Sequence, residues 1–336
     1  MRARTFAHLM LSRLRRHKWS PQQRVVLISV VAVVMASLFV ATYSLALGDP
    51  VPHHIRAALI GDPADSPRTI AAVEKVADHK LVFERYSAVP AALNAVNNQS
   101  VYAALDLGSS RPTLYVASAA GVSVARVLEK VEVVDPSVRV IDTHPLAGDD
   151  PNGLDIFYLM LVATIVAMVT TLQVRGQVPG LLLRHHIAFV VGFAVLASTV
   201  LTLVDGPLLH RPAALYPEEW GILAVQVLAV SSFSSLMAVL ARAWAIVPSW
   251  LFFVILGNAS SGGAVAPPLL PQPFAFLSEW LPSGVTVSAL RNAIYFRDYQ
   301  HARPFVVLGV WAAGLFIAWV LLARRREAQA VEERPV

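Results

Sequence analysis

VVLISVVAVVMASLFVATYSLAL, residues 25–47, runs for 23 positions without a charged side chain. At about 1.5 Å per residue, roughly 20 residues cover a hydrocarbon layer of about 30 Å, so the stretch reads as a membrane-spanning helix. Ahead of it stand Arg2, Arg4, Arg13, Arg15, Arg16, Lys18 and Arg24, with no acidic residue among them. Basic flanks stay on the cytoplasmic side, which places segment 1–24 there. A cleavable signal peptide is the rival reading, but its apolar stretch is typically about 7–15 residues and no A-x-A site follows here. An uncleaved anchor is expected.

Composition agrees. The 336 residues are 56% hydrophobic and 15% charged, with mean hydropathy +0.58, against about 25% charged in an ordinary soluble domain. The absence of cysteine removes disulfides, thiolate metal sites and thiol nucleophiles together. The basic excess is nearly all arginine, beside much Ala and Val, a bias that fits a bacterial genome. Its net +5 falls mostly at the ends of apolar blocks, where it sets topology rather than suggesting nucleic acid.

Between residues 48 and 152 charges of both signs return. Strand patterns at Ile55–Ile60, Leu81–Tyr86, Val101–Leu105, Thr113–Ala117 and Val138–Ile141 alternate with helical ones at Pro67–Asp78, Val89–Val96 and Val122–Val133. This predicts a small inserted α/β domain with a core of its own, on the extracytoplasmic side if the N-terminus is inside.

Apolar blocks then resume at Leu154–Leu172, Ile187–Val204, Gly221–Leu240, Ala243–Gly257 and Phe305–Ala323. Arg175 and Arg184 fall in one connection, Arg242 in another, and Arg324–Arg326 after the last block. Six crossings of a multi-pass plasma-membrane protein follow, with both termini cytoplasmic and a tail at 324–336. Between the last two blocks, GNASSGGAVAPPLLPQP (257–273) is too rich in turn formers for a straight helix. Phe274–Leu281 and Val285–Phe296 are short amphipathic segments, expected to lie in or dip into the outer leaflet.

Catalytic chemistry is not visible, and the sequence reads as no enzyme, with no catalytic, cofactor or metal residues assigned. No Gly-Lys pair exists to build a Walker A loop. The spans hold almost no ionisable side chain, whereas ion-coupled carriers place such groups inside the membrane. All histidines are expected in loops or flanks, and the pairs His53-His54 and His185-His186 lack a pattern that completes a metal site. Ser231, Ser232, Ser234 and Ser235 read as helix-packing positions, with a polar path as the other option. Arg291 and Arg297 read as snorkelling cations, or as contacts for lipid phosphate or an anionic substrate.

One anchor, an inserted α/β domain and five further spans with an interrupted hairpin before the last resemble the type-2 ABC exporter permeases, and most closely their phage infection protein-like branch. The residues that carry the resemblance are Ser260-Ser261-Gly262-Gly263, Pro267-Pro268-Leu269-Leu270-Pro271, Leu281-Pro282-Ser283-Gly284 and Leu290-Arg291-Asn292. The resemblance implies a subunit that forms a homodimer or heterodimer with another permease subunit in the bilayer and couples to a separate ATP-binding subunit. It also implies export of an amphipathic or lipid-like molecule. Within it, Gln173–His186 would dock the ATPase through Arg175 and Arg184. Segment 263–297 would be a re-entrant external gate carrying Pro267, Pro268, Pro271, Trp280, Pro282 and Arg291. The docking loop departs from the family pattern in lacking an acidic residue. The other reading open from sequence is a non-transporting membrane protein whose external domain is a binding module or receptor.

Overall fold

A computed structural model describes residues 20–332. The basic residues 2–18 and positions 333–336 of the expected cytoplasmic segments lie outside the described residues. The chain divides into two compact units at Ala41/Thr42.

The first unit contains most of helix α1 (Pro21–Leu47). It begins four residues before the uncharged run because Ser20 and Gln23 close a reciprocal capping box: the Gln23 N–H donates to Ser20 Oγ and the Ser20 N–H to Gln23 Oε1. Pro21 takes the first helical position, where its missing N–H costs nothing. The helix is apolar on all faces, and 27 residues extend about 40 Å.

In the second unit, strands β1 (Ile55–Ile60), β2 (Leu81–Tyr86), β3 (Ala103–Asp106), β4 (Thr113–Val116) and β5 (Arg139–Asp142) form one sheet in the order β2-β1-β3-β4-β5. Only the β3–β4 pairing is antiparallel. Side chains alternate between faces, and both faces of β1 are covered. Ile55, Ala57 and Leu59 pack on one side with α2 (Pro67–Val76) and α4 (Val122–Glu129). Ala58 and Ile60 pack on the other with α3 (Val89–Asn97). A short α5 (Val131–Val134) follows α4. β1 and β2 occupy the ranges read from sequence, and the expected helix 122–133 is two helices meeting at Lys130.

The sheet cores are not closed by the domain alone. Ala266 and Leu269, from the Gly- and Pro-rich stretch, sit in the first core, and Phe296 sits in the second. Both feet of segment 259–302 are therefore embedded in the α/β domain, one on each face of its sheet.

Helices α6 (Asp155–Gln177), α7 (Leu183–Leu208) and α8 (Tyr216–Ala241) follow, and α12 (Arg303–Glu332) ends the described chain. With α1, these give five helices among the described residues that are long and apolar enough to cross a membrane. The expected block at 243–257 differs. It is a shorter apolar helix, α9 (Ile246–Asn258), whose Trp250–Asn258 part is π-helical. Its four α-helical and nine π-helical residues would rise only about 20 Å at α-helical spacing.

Near the start of α8, Glu218 meets Gln300 (2.9 Å) and Arg297 (3.9 Å), which just precede α12. Further along both helices, Val239 and Trp319 share one apolar cluster. The two helices therefore run in the same direction, and the chain between them must return the length of the bundle. α9 starts that return. Two short helices, α10 (Gln272–Ser278) and α11 (Pro282–Tyr295), complete the segment.

The amphipathic expectation for 285–296 fails for a physical reason. α11 packs against α6, α8, α9 and α12, and of Pro282–Ala293 only Ser288 is not buried. It is an interior helix, not one lying at an interface. α10 keeps the expected character, with Phe276 63% exposed.

Candidate functional site

The interior of the bundle carries more polar chemistry than the sequence suggested, in three places along its length. At mid-bundle, Gln226 on α8 is fully buried. Its amide donates to Thr164 Oγ1 on α6 and accepts from Thr286 Oγ1 on α11, each at 2.9 Å. One side chain thus ties the interrupted segment to two long helices. Gln226→Leu leaves both threonine hydroxyls without that partner. A loss of about 1–2 kcal/mol is expected, read as a lower thermal midpoint in detergent.

At the end of the bundle nearest the α/β domain, Arg211 is enclosed by three carboxylates. It pairs with Asp155 at the start of α6, with Asp205 near the end of α7 (2.7 Å), and with Glu219 on α8 (3.1 Å). Asp205, Arg211 and Glu219 stand between the apolar blocks Ile187–Val204 and Gly221–Leu240, a position that by itself reads as an exposed loop. α7 instead extends to Leu208 and carries Asp205 inward, and Glu219 is wholly buried in the first turns of α8. Asp150 sits just ahead of this cluster, accepting the Leu154 and Asp155 N–H groups and capping α6.

The opposite end carries Arg175, Arg184, Arg242 and Arg324. Arg175 and Arg242 line one recess, and Arg184, Arg324 and Glu327 another. The expected docking loop 173–186 is largely helical, with only 178–182 between α6 and α7. Arg184 is exposed, but Arg175 reaches His186 Nδ1 at 3.3 Å. His186 was expected in a flank. It is fully buried, with Nε2 3.3 Å from Ser235 Oγ and its ring edge-on to Trp319. Its chain neighbours gave no sign of this, His185 being exposed and Ile187 half-buried, because a helix shows only every third or fourth residue to one neighbour. Ser231, Ser232, Ser234 and Ser235 are all fully buried, which fits close helix packing.

The gate residues named from sequence divide. Pro267 and Pro268 open a 3-10 turn (Pro267–Leu269), Pro271 immediately precedes α10, and Pro282 is the first residue of α11. The prolines therefore start helices, where no N–H is needed, rather than break them. Gly262 takes a left-handed φ of +70°, and a Cβ on Gly263 would come within 2.8 Å of Phe157. The glycines let this turn press against α6. Trp280 is 47% exposed, with the Arg303 guanidinium 4.9 Å from its ring centroid. Arg291 does not snorkel. It is only 9% exposed and donates to the Gly262 carbonyl at 3.1 Å. Arg297 is half-exposed beside Glu218.

Arg291 and Pro267 line a cavity of about 180 Å³ between the α/β domain and segment 259–304. Gln99 from the domain reaches it and is hydrogen-bonded to Asn292. Burial, with the Arg303 charge second, holds His301 at its edge below the usual imidazole range. Among the described residues, no three His, Cys, Asp or Glu side chains gather as a metal-ligand set.

Comparison with protein-family models, with curated proteins and with solved structures found no match. The class defined by the fold is a mostly helical, membrane-embedded protein with a small mixed sheet.

Proposed function

We propose that the chain is a permease-type membrane subunit of an ABC-type exporter, moving an amphipathic or lipid-like substrate out of the cytoplasm with ATP hydrolysis supplied by a separate subunit. The observation that carries this reading is the interrupted return segment. Its π-helical stretch Trp250–Asn258 and helix α11 lie within the bundle, joined by the glycine turn and the partly exposed α10, instead of forming one continuous span. Irregular backbone at membrane depth is tolerated only inside protein or along a cavity, and broken helices at that depth are a device of transporters. π-Helical turns also concentrate at functional sites.

Orientation follows from charge. The arginines shared by the end opposite the α/β domain favour a cytoplasmic placement for that end. On this reading α9 and the residues after it make the sixth passage, both termini are cytoplasmic, and the α/β domain is outside. The embedding of Ala266, Leu269 and Phe296 in that domain supports a role for it in holding the gate. A second reading, a non-transporting membrane protein with an external binding module, is favoured by the cavity at the domain's junction with the bundle.

Purification in mild detergent separates the two. The exporter reading expects an ATPase to travel with the chain, and its yield to fall several-fold in Arg184→Glu, an exposed change that leaves the Arg175–His186 contact intact. Purification with no ATPase, or an unchanged yield in the variant, would count against coupling through this end.

A further inference from the structure

Arg291 poses a physical problem that the bundle does not solve. The guanidinium is more than nine-tenths buried, and no Asp or Glu among the described residues pairs with it. One nitrogen donates to the Gly262 carbonyl, while Nε has no partner. A buried cation is costly unless something anionic offsets it. The other buried arginine among the described residues, Arg211, is met by carboxylates.

Arg291 faces the cavity of about 180 Å³. Its wall also carries the hydroxyls of Ser261 and Ser288 and the ring of His301, whose Nδ1 is buried and without a partner. The single acidic residue on the wall, Glu279, is engaged by Arg303 at 2.8 Å. A second cation thus stands at the rim, its charge already matched.

We propose that this cavity binds a phosphate-type oxyanion, held by the Arg291 guanidinium with serine hydroxyls completing the shell. Guanidinium supplies the planar fork that suits such oxygens. The volume is below the roughly 300–1,000 Å³ of sites that enclose whole drug-sized ligands, so it takes a headgroup and leaves the remainder outside. Phe276 and Trp280, both exposed, lie on the helix and turn beside the rim. Such amphipathic rings are enriched where protein meets the lipid headgroup layer, so a phospholipid headgroup is one source of the oxyanion and free phosphate the other. The site stands whether or not the chain exports anything.

The test uses the full chain in phosphate-free maltoside micelles, titrated with inorganic phosphate in one arm and with short-chain phosphatidic acid in the other. Binding is read as a rise in thermal midpoint and by native mass spectrometry. Stabilisation in either arm is expected, and the arm that responds identifies the source. Arg291→Gln should weaken binding at least roughly tenfold, as expected for loss of a hydrogen bond to a charged group. Because that change is buried, Ser288→Leu provides an independent variant: it fills the cavity, keeps the charge, and should abolish binding. No stabilisation in either arm, or binding by Ser288→Leu equal to that of the parent chain, would overturn the proposal.

Discussion

Arg211→Met is expected to destabilise the second unit by about 3–5 kcal/mol, the usual cost of removing one partner from a buried ionic group. Methionine keeps the length of the side chain and removes the charge. Asp155, Asp205 and Glu219 then face one another with side-chain exposures of 15%, 7% and 0% and no cation. The three come from α6, α7 and α8, so their repulsion would part the helix ends that carry the α/β domain. Denaturant unfolding in mild detergent, followed by tryptophan fluorescence, measures the loss. Restoring neutrality with Asp155→Asn, Asp205→Asn and Glu219→Gln in the Arg211→Met background should recover most of it. A single variant as stable as the parent chain would mean that the cluster holds nothing together.

That cluster also shows where sequence reading stops. Its members stand at positions 155, 205, 211 and 219, at span boundaries or in the connection between two spans, where a charge reads as a loop residue by default. Whether such a residue is solvated depends on how far the helix continues, and α7 continues to Leu208 because Gly206 and Pro207 are tolerated in its last turn. Local signals were legible where local physics decides. β1 and β2 kept their limits because each largely apolar run is punctuated at its ends, β1 by His54 and Gly61 and β2 by Lys80 and Ser87, and α2 begins at the proline that announced it. The sheet order and the reversal of β4 and β5 depend on long-range pairing, which no local pattern encodes. The burial of Arg291 was hidden for the same reason: the amphipathic look of α11 gives no sign that helices cover its polar face as well.

Of the candidate gate, the sequence showed the punctuation but not the anchoring. Phe296→Ala tests the anchoring and should cost about 3–5 kcal/mol, as for removal of a large buried aromatic side chain. Phe296 is 1% exposed, packed among Ala58, Ile60, Ala92 and Val96, and stacked on His144 with ring centroids 4.5 Å apart. It also terminates α11, its N–H donating to the Asn292 carbonyl. Burial holds His144 below the ordinary imidazole range, with the Asp142 charge acting the other way. The unfolded chain then binds more protons than the folded one. Stability therefore falls as pH drops through about 6.5 and levels off below the folded-state value. Admitting water beside His144 should flatten that acid-side decline in the variant. Hydrogen exchange provides the sharper readout. If one ring joins the α/β domain to the interrupted segment, amides in α3 and in α11 should both exchange faster. Faster exchange in α3 alone, with α11 protected as before, would show that the segment holds its place without the domain, and the gate would then need another anchor.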